Sequence, residues 1–116
     1  VGNGRLSGRS IVALGHQKET QMIFHITHHH DEKTCPAHDP DKVAATFGQV
    51  LPSLAEQGVT VHGAWVDPPG HDFFFVVESD SYEAIVEGLF PAVPMGTARI
   101  QPVEDFKARM QKVTQS

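Results

Sequence analysis

The stretch VTVHGAWVDPPGHDFFFVVES, residues 59–79, decides the fold. Its first run, 59–67, is rich in β-branched and aromatic residues and roughly alternates in polarity, as a half-buried strand does. Its last run, 71–79, is apolar almost throughout, the pattern of a strand covered on both faces and therefore central in its sheet. Between them, Pro68-Pro69-Gly70 cannot continue either strand and turns the chain. A helix is expected next. Asp80 and Glu83 form a D-x-x-E cap, and Tyr82, Ile85, Val86 and Leu89 fall on one helical stripe.

Upstream, MIFHITH (22–28) alternates and reads as a strand. Asp39 then suits a helix N-cap, with Pro40 at the first helical position and Asp41 in the first turn. Val43, Phe47, Val50, Leu51 and Leu54 make the stripe of that helix, Pro52 kinks or restarts it, and Gly58 stops it. Downstream, FPAVPMG is a loop and TARIQP (97–102) a fourth strand. A short terminal helix carries Val103, Phe106, Met110 and Val113. The order β-α-β-β-α-β predicts an α+β, ferredoxin-like domain over residues 22–113, a four-stranded antiparallel sheet with helices on one face.

Alternation also sorts the two faces. Phe24, Ile26, Val59, Val61, Trp65, Ala98 and Ile100 are expected against the helices. His25, Thr27, Thr60, His62, Ala64, Thr97, Arg99 and Gln101 are expected on the open face, with an aromatic from the third strand. An apolar stripe on an open face marks an interface, and a second copy of the chain is its commonest cover.

The remaining features exclude more than they assign. At 116 residues the chain is one domain, and its single cysteine permits no internal disulfide. A net charge of −5 without a Lys/Arg block argues against nucleic acid and anionic membranes as partners. No apolar run approaches a membrane span. In the head, residues 1–21, the apolar run IVALG is too short for a secretory signal. That segment is expected to be a disordered Gly/Ser-rich extension, from an upstream start or added to a natural start at Met22. One free thiol and no signal predict the cytoplasm. There is no phosphate loop, Ser-His-Asp pattern or dinucleotide fingerprint.

The run VHGAWVDPPGHDFFFVVESDSYEAIVEGLFPAVPMGTARIQPVED (61–105) resembles small uncharacterised families of the dimeric α/β-barrel superfamily. The shared features are G-x-W, a turn, an apolar strand ending in Glu, a D-x-x-E-A helix and an I-x-P-V strand. The resemblance implies a homodimer whose sheets face each other around a cavity for a small molecule. That superfamily includes cofactor-free monooxygenases, muconolactone-isomerase-like enzymes, haem-degrading enzymes and nickel-binding proteins.

Chemistry concentrates in HITHHHDEKTCPAH (25–38), which holds five of the eight histidines and the cysteine. Imidazole and thiolate together suit Zn, Cu, Ni or Fe. Cys35-x-x-His38 has a gap that lets one turn present both donors, and His28 and His30 point the same way along a strand. The expected ligand set is His28, His30, Cys35 and His38, with His25 and His29 as further donors. Asp31, Glu32 and Asp39 are expected outer acceptors. Two other readings stand beside it. The segment is also a plausible polar loop stiffened by Pro36 and Pro40. Alternatively, His25 and His62 act as acid and base on the open face, Arg99 holds a carboxylate or enolate, and the loop is a lid. The first reading makes a transition-metal-binding homodimer. The catalytic reading makes a cofactor-free or metal-assisted enzyme, isomerase- or monooxygenase-like, acting on a small hydrophobic carbonyl compound. The polar-loop reading leaves a structural or regulatory dimer.

Overall fold

The computed structural model describes residues 21–115, and the expectation of an extension over 1–21 falls almost wholly outside them. Strand β1 (Met22–His29) leads through a loop to helix α1 (Pro40–Ala45), a 3-10 turn (Phe47–Gln49) and helix α2 (Val50–Glu56). Strands β2 (Thr60–Asp67) and β3 (Asp72–Ser79) form the hairpin. Helix α3 (Tyr82–Leu89), a 3-10 segment (Phe90–Met95), β4 (Thr97–Val103) and helix α4 (Phe106–Gln115) complete the chain. The sheet is antiparallel with order β2-β3-β1-β4, the ferredoxin-like arrangement, and helices cover one side. The apolar strand β3 is central, as its composition demands.

The core lies between that side of the sheet and helices α2 and α3. Phe24 and Ile26 from β1 and Phe75 and Val77 from β3 meet Val50, Leu54, Ile85 and Leu89. Asp39 caps α1 as expected, its side chain accepting from the Lys42 amide. Helix α3 is capped differently. Ser81, not Asp80, accepts from the Ala84 amide, because the serine hydroxyl stands one residue nearer the first turn. The first helical stripe is broken at Thr46, upstream of Pro52, so α1 and α2 are separate helices and Leu51 is exposed. Gly58 ends α2 at φ 76°, a left-handed position glycine occupies without strain.

A second departure is in β2. The register shifts between Val61 and Gly63, so two residues of β2 oppose one of β3. Beyond the bulge every side chain changes face. Ala64 and Val66 pair with Phe75 and Phe73 on the helix side, and Trp65 pairs with Phe74 on the open face, where it is 59% exposed. Simple alternation had placed Trp65 and Ala64 the other way round. In β4 the expected faces hold: Ile100 pairs with Ile26, and Arg99 with Thr27.

Gly96 brings the end of the 3-10 segment against the backbone of His29 and His30. A Cβ there would overlap the His29 carbonyl oxygen and press on the His30 Cα at 3.0 Å. Since both partners are backbone, neither can swing aside. Gly96→Ala is expected to destabilise the protein by about 1–3 kcal/mol, the usual range for overpacking. Urea unfolding checks this; an unchanged midpoint would mean that the two backbones separate freely.

Candidate metal centre

Strand β1 sorts its histidines by alternation. Phe24, Ile26 and His28 face the helices, and His30, one residue past the strand, continues that side and is buried. His25 and His29 face the other way. In the β1–β3 ladder His29 pairs with Asp72, so the next facing pair is His30 with His71. The His30 amide donates to the His71 carbonyl at 3.1 Å, extending the ladder by one bond. His71 has φ 60°, a left-handed backbone that a non-glycine residue adopts only when its surroundings hold it there. The Pro-Pro-Gly turn before it and the bond to His30 do so, and they aim its imidazole at His30.

The loop after β1 brings in the sulfur. Asp31 accepts from the Lys33 and Thr34 amides, both at 2.9 Å, and closes a tight turn. These bonds, the Thr34 amide foremost, hold its carboxyl below the usual carboxylate range. The reversed chain runs back past the strand end, buries Pro36 and leaves Cys35 half-buried beside the two imidazoles. One donor atom each from His30, Cys35 and His71 lies within 4.8 Å of the other two.

The distance between the imidazoles is informative. His71 Nδ1 and His30 Nε2 are 3.4 Å apart, which is long for a hydrogen bond between two ring nitrogens. Two nitrogens bound tetrahedrally at 2.0–2.1 Å stand about 3.3 Å apart, so the pair already has the spacing of one edge of such a site. The second ring nitrogen of His30, Nδ1, is buried without a hydrogen-bond partner. The cluster is packed in aromatic rings: Phe47 lies 5.1 Å and Phe73 5.9 Å from the His30 ring between centroids, and the two phenyl rings meet at 4.4 Å, tilted by 42°. A pocket of about 200 Å³ opens beside the donors.

Burial is the main cause that lowers the pKa of His30, reinforced by His71, His28 and His29 and opposed by Asp31. His28 is lowered too, chiefly by burial. Both imidazoles are therefore held neutral, the form that binds metal. The same shifts predict a pH dependence. Below the ordinary value of 6.5 the unfolded chain takes up protons that the folded chain refuses, so stability is full above that pH and falls as it drops. Thermal melting of the metal-free protein is expected to be flat between about pH 7 and 8 and to decline below about 6.5. A melting temperature that rises on acidification through that range would contradict these neutral, buried histidines.

The residues singled out from sequence thus separate. His30 and Cys35 come together, joined by His71. His28 is a neighbour of the group: its Nε2 donates to the Ala92 carbonyl at 2.8 Å, and its ring is 6.3 Å from that of His30. His38 is exposed in the loop. His29 is exposed with Nδ1 on Asp72 at 2.8 Å, and His25 lies against Phe74 on the open face. Of the open-face set, His62 pairs with Glu78 at 2.7 Å and Arg99 is exposed. His25 and His62 lie two strands apart with β3 between them, a backbone separation of about 10 Å. His71 escaped sequence reading, because only the β1–β3 ladder brings it near: pairing of His29 with Asp72 sets His30 opposite His71.

A solved structure of an unknown protein from Galdieria sulphuraria is similar to the chain, with a TM-score of 0.50 at 14% identity. The match covers 73% of this chain and 46% of that one, so the chain spans about half the length of that protein, and the likeness is one of fold. A search of curated proteins returns no match. The family model of a domain of unknown function, DUF3303, matches residues 22–116, and the chain belongs to that family.

Proposed function

We propose that the protein binds one transition-metal ion per chain through His30, Cys35 and His71, as a metal-binding homodimer. The observation that carries this reading is the convergence of two imidazoles and a thiol from two elements distant in sequence, with the imidazole nitrogens already 3.4 Å apart. A buried neutral histidine and a thiol make a nitrogen–sulfur donor set suited to Zn, Cu, Ni or Fe. Binding releases the Cys35 proton to solvent, since the thiolate is the ligand. A ligand thiol kept reduced fits the cytoplasm.

The homodimer reading is supported by two unpaired apolar surfaces. The open face carries exposed Trp65 beside half-buried Phe74 and Val76. Helix α4 buries none of its residues, and Phe106, Met110 and Val113 form an exposed stripe along it. Two copies meeting through these surfaces would enclose His25, His62 and Arg99.

The test is elemental analysis of untagged protein purified without chelator or metal resin. About one Zn, Cu, Ni or Fe per chain is expected. Protein that holds no metal after loading and washing would overturn the reading.

A further inference from the structure

The three donors do not complete a tetrahedron. Structural zinc sites are closed by four protein ligands, whereas sites with three keep a position for an exogenous group. Among the described residues no fourth His, Cys, Asp or Glu joins the group. The nearby acids are engaged elsewhere: Asp31 in its turn, Asp39 at the cap of α1, Asp72 on His29, and Asp67 on the Gly70 amide.

What adjoins the donors is the pocket, and its walls are apolar. Val43 and Phe47 line it from the helix side, Val66 and Phe73 from the sheet, and Pro36 and Ala37 from the loop. Asp67 is the single acidic residue that borders it, and its side chain follows Trp65 to the open face, where Oδ1 accepts from the Gly70 amide at 3.4 Å; the bulge in β2 is what turns Val66 toward the pocket. The size, about 200 Å³, admits a small molecule and no polymer.

Charge then selects the kind of ligand. A divalent ion with one thiolate and two neutral imidazoles carries a net charge of about +1, and leaving that beside an apolar pocket is unfavourable. A monoanionic donor neutralises it. We infer that this metal centre holds an open coordination position and takes a small apolar monoanion, its anionic group on the metal and its hydrophobic body between Phe47, Phe73, Val43 and Val66. The inference rests on the metal reading above.

Cobalt(II) is the probe for the metal, because its visible bands report coordination number and its sulfur charge-transfer band reports Cys35. Cobalt-loaded protein is titrated with benzoate, acetate and neutral benzamide. Benzoate is expected to perturb the visible bands and to bind at least about tenfold more tightly than acetate, from burial of its ring. It should also outbind benzamide by a similar factor, from its charge. Val43→Phe, which fills the pocket, is expected to reduce benzoate to the level of acetate. If cobalt fails to bind, or binds without the sulfur band, the metal reading fails and this inference falls with it. If cobalt binds with the sulfur band but no anion alters its spectrum, the metal reading stands and the open position is refuted. Equal affinities for benzoate and acetate would refute the apolar selection.

Discussion

Cys35→Ser is expected to lower metal affinity by at least about a hundredfold while leaving the fold intact. Loss of groups that merely orient metal ligands typically costs ten- to a hundredfold, and loss of a ligand itself costs no less than the upper end. Serine keeps the size of the side chain, but its hydroxyl stays protonated near neutral pH and is a poor donor for soft or borderline ions. Cys35 is half-buried in a loop and outside the main core, so folding does not depend on it. His38→Ala supplies the contrast. His38 is exposed and outside the group of three, so its removal should leave affinity within a few-fold of the parent. Competition with a chromogenic chelator measures both. Equal losses in the two variants would indicate a flexible histidine-rich loop that captures metal without a defined site.

Phe74→Asp is expected to produce a folded monomer, whereas Phe75→Asp is expected to unfold the protein. The two residues are adjacent in β3 and face opposite ways. Phe75 is 5% exposed and packs in the core between sheet and helices. An unpaired carboxylate there has no compensating partner, a mechanism behind the largest single-site losses. Phe74 sits on the open face against the His25 ring, paired across the strands with Trp65 and Thr27. A charge at that point is solvated in a lone chain and desolvated only when a second copy covers it. The proposed homodimer is therefore expected to weaken by about two to three orders of magnitude with little change in circular dichroism. Sedimentation of the two variants beside the parent checks this. A Phe74→Asp protein that remains a dimer would place the interface elsewhere, with the stripe of α4 the next surface to test.

The fold was legible because its signals are local and repeated. The apolar run of β3, the Pro-Pro-Gly turn and the Asp39-Pro40 helix start each point to one element, and together they leave one strand order. Side-chain faces were legible up to the bulge in β2. A single extra residue there inverts the alternation; Gly63, a glycine inside a strand pattern, is the local mark of such a bulge, and strict alternation takes no account of it. The helix break at Thr46 was misplaced toward Pro52 because proline is tolerated in the first turn of α2, where its missing N–H costs nothing. The candidate metal centre was legible in part. Its loop half is a conspicuous cluster, and the alternation of β1 separates His30 from His25 and His29. Its third donor lies 41 residues from His30 and looks like a turn residue. Only the register of two paired strands brings it near, and register is a property of the folded sheet.

His30, Cys35 and His71 are proposed to hold one metal ion. X-ray absorption at the metal edge of zinc-loaded protein tests it most directly, because it counts ligand types without presupposing which residues supply them. One sulfur at about 2.3 Å and at least two imidazole nitrogens at about 2.0–2.1 Å per zinc are expected. In His71→Ala, a change outside the histidine-rich segment, the imidazole nitrogen count is expected to fall by one. A spectrum with no sulfur shell, or one unchanged in His71→Ala, would contradict it.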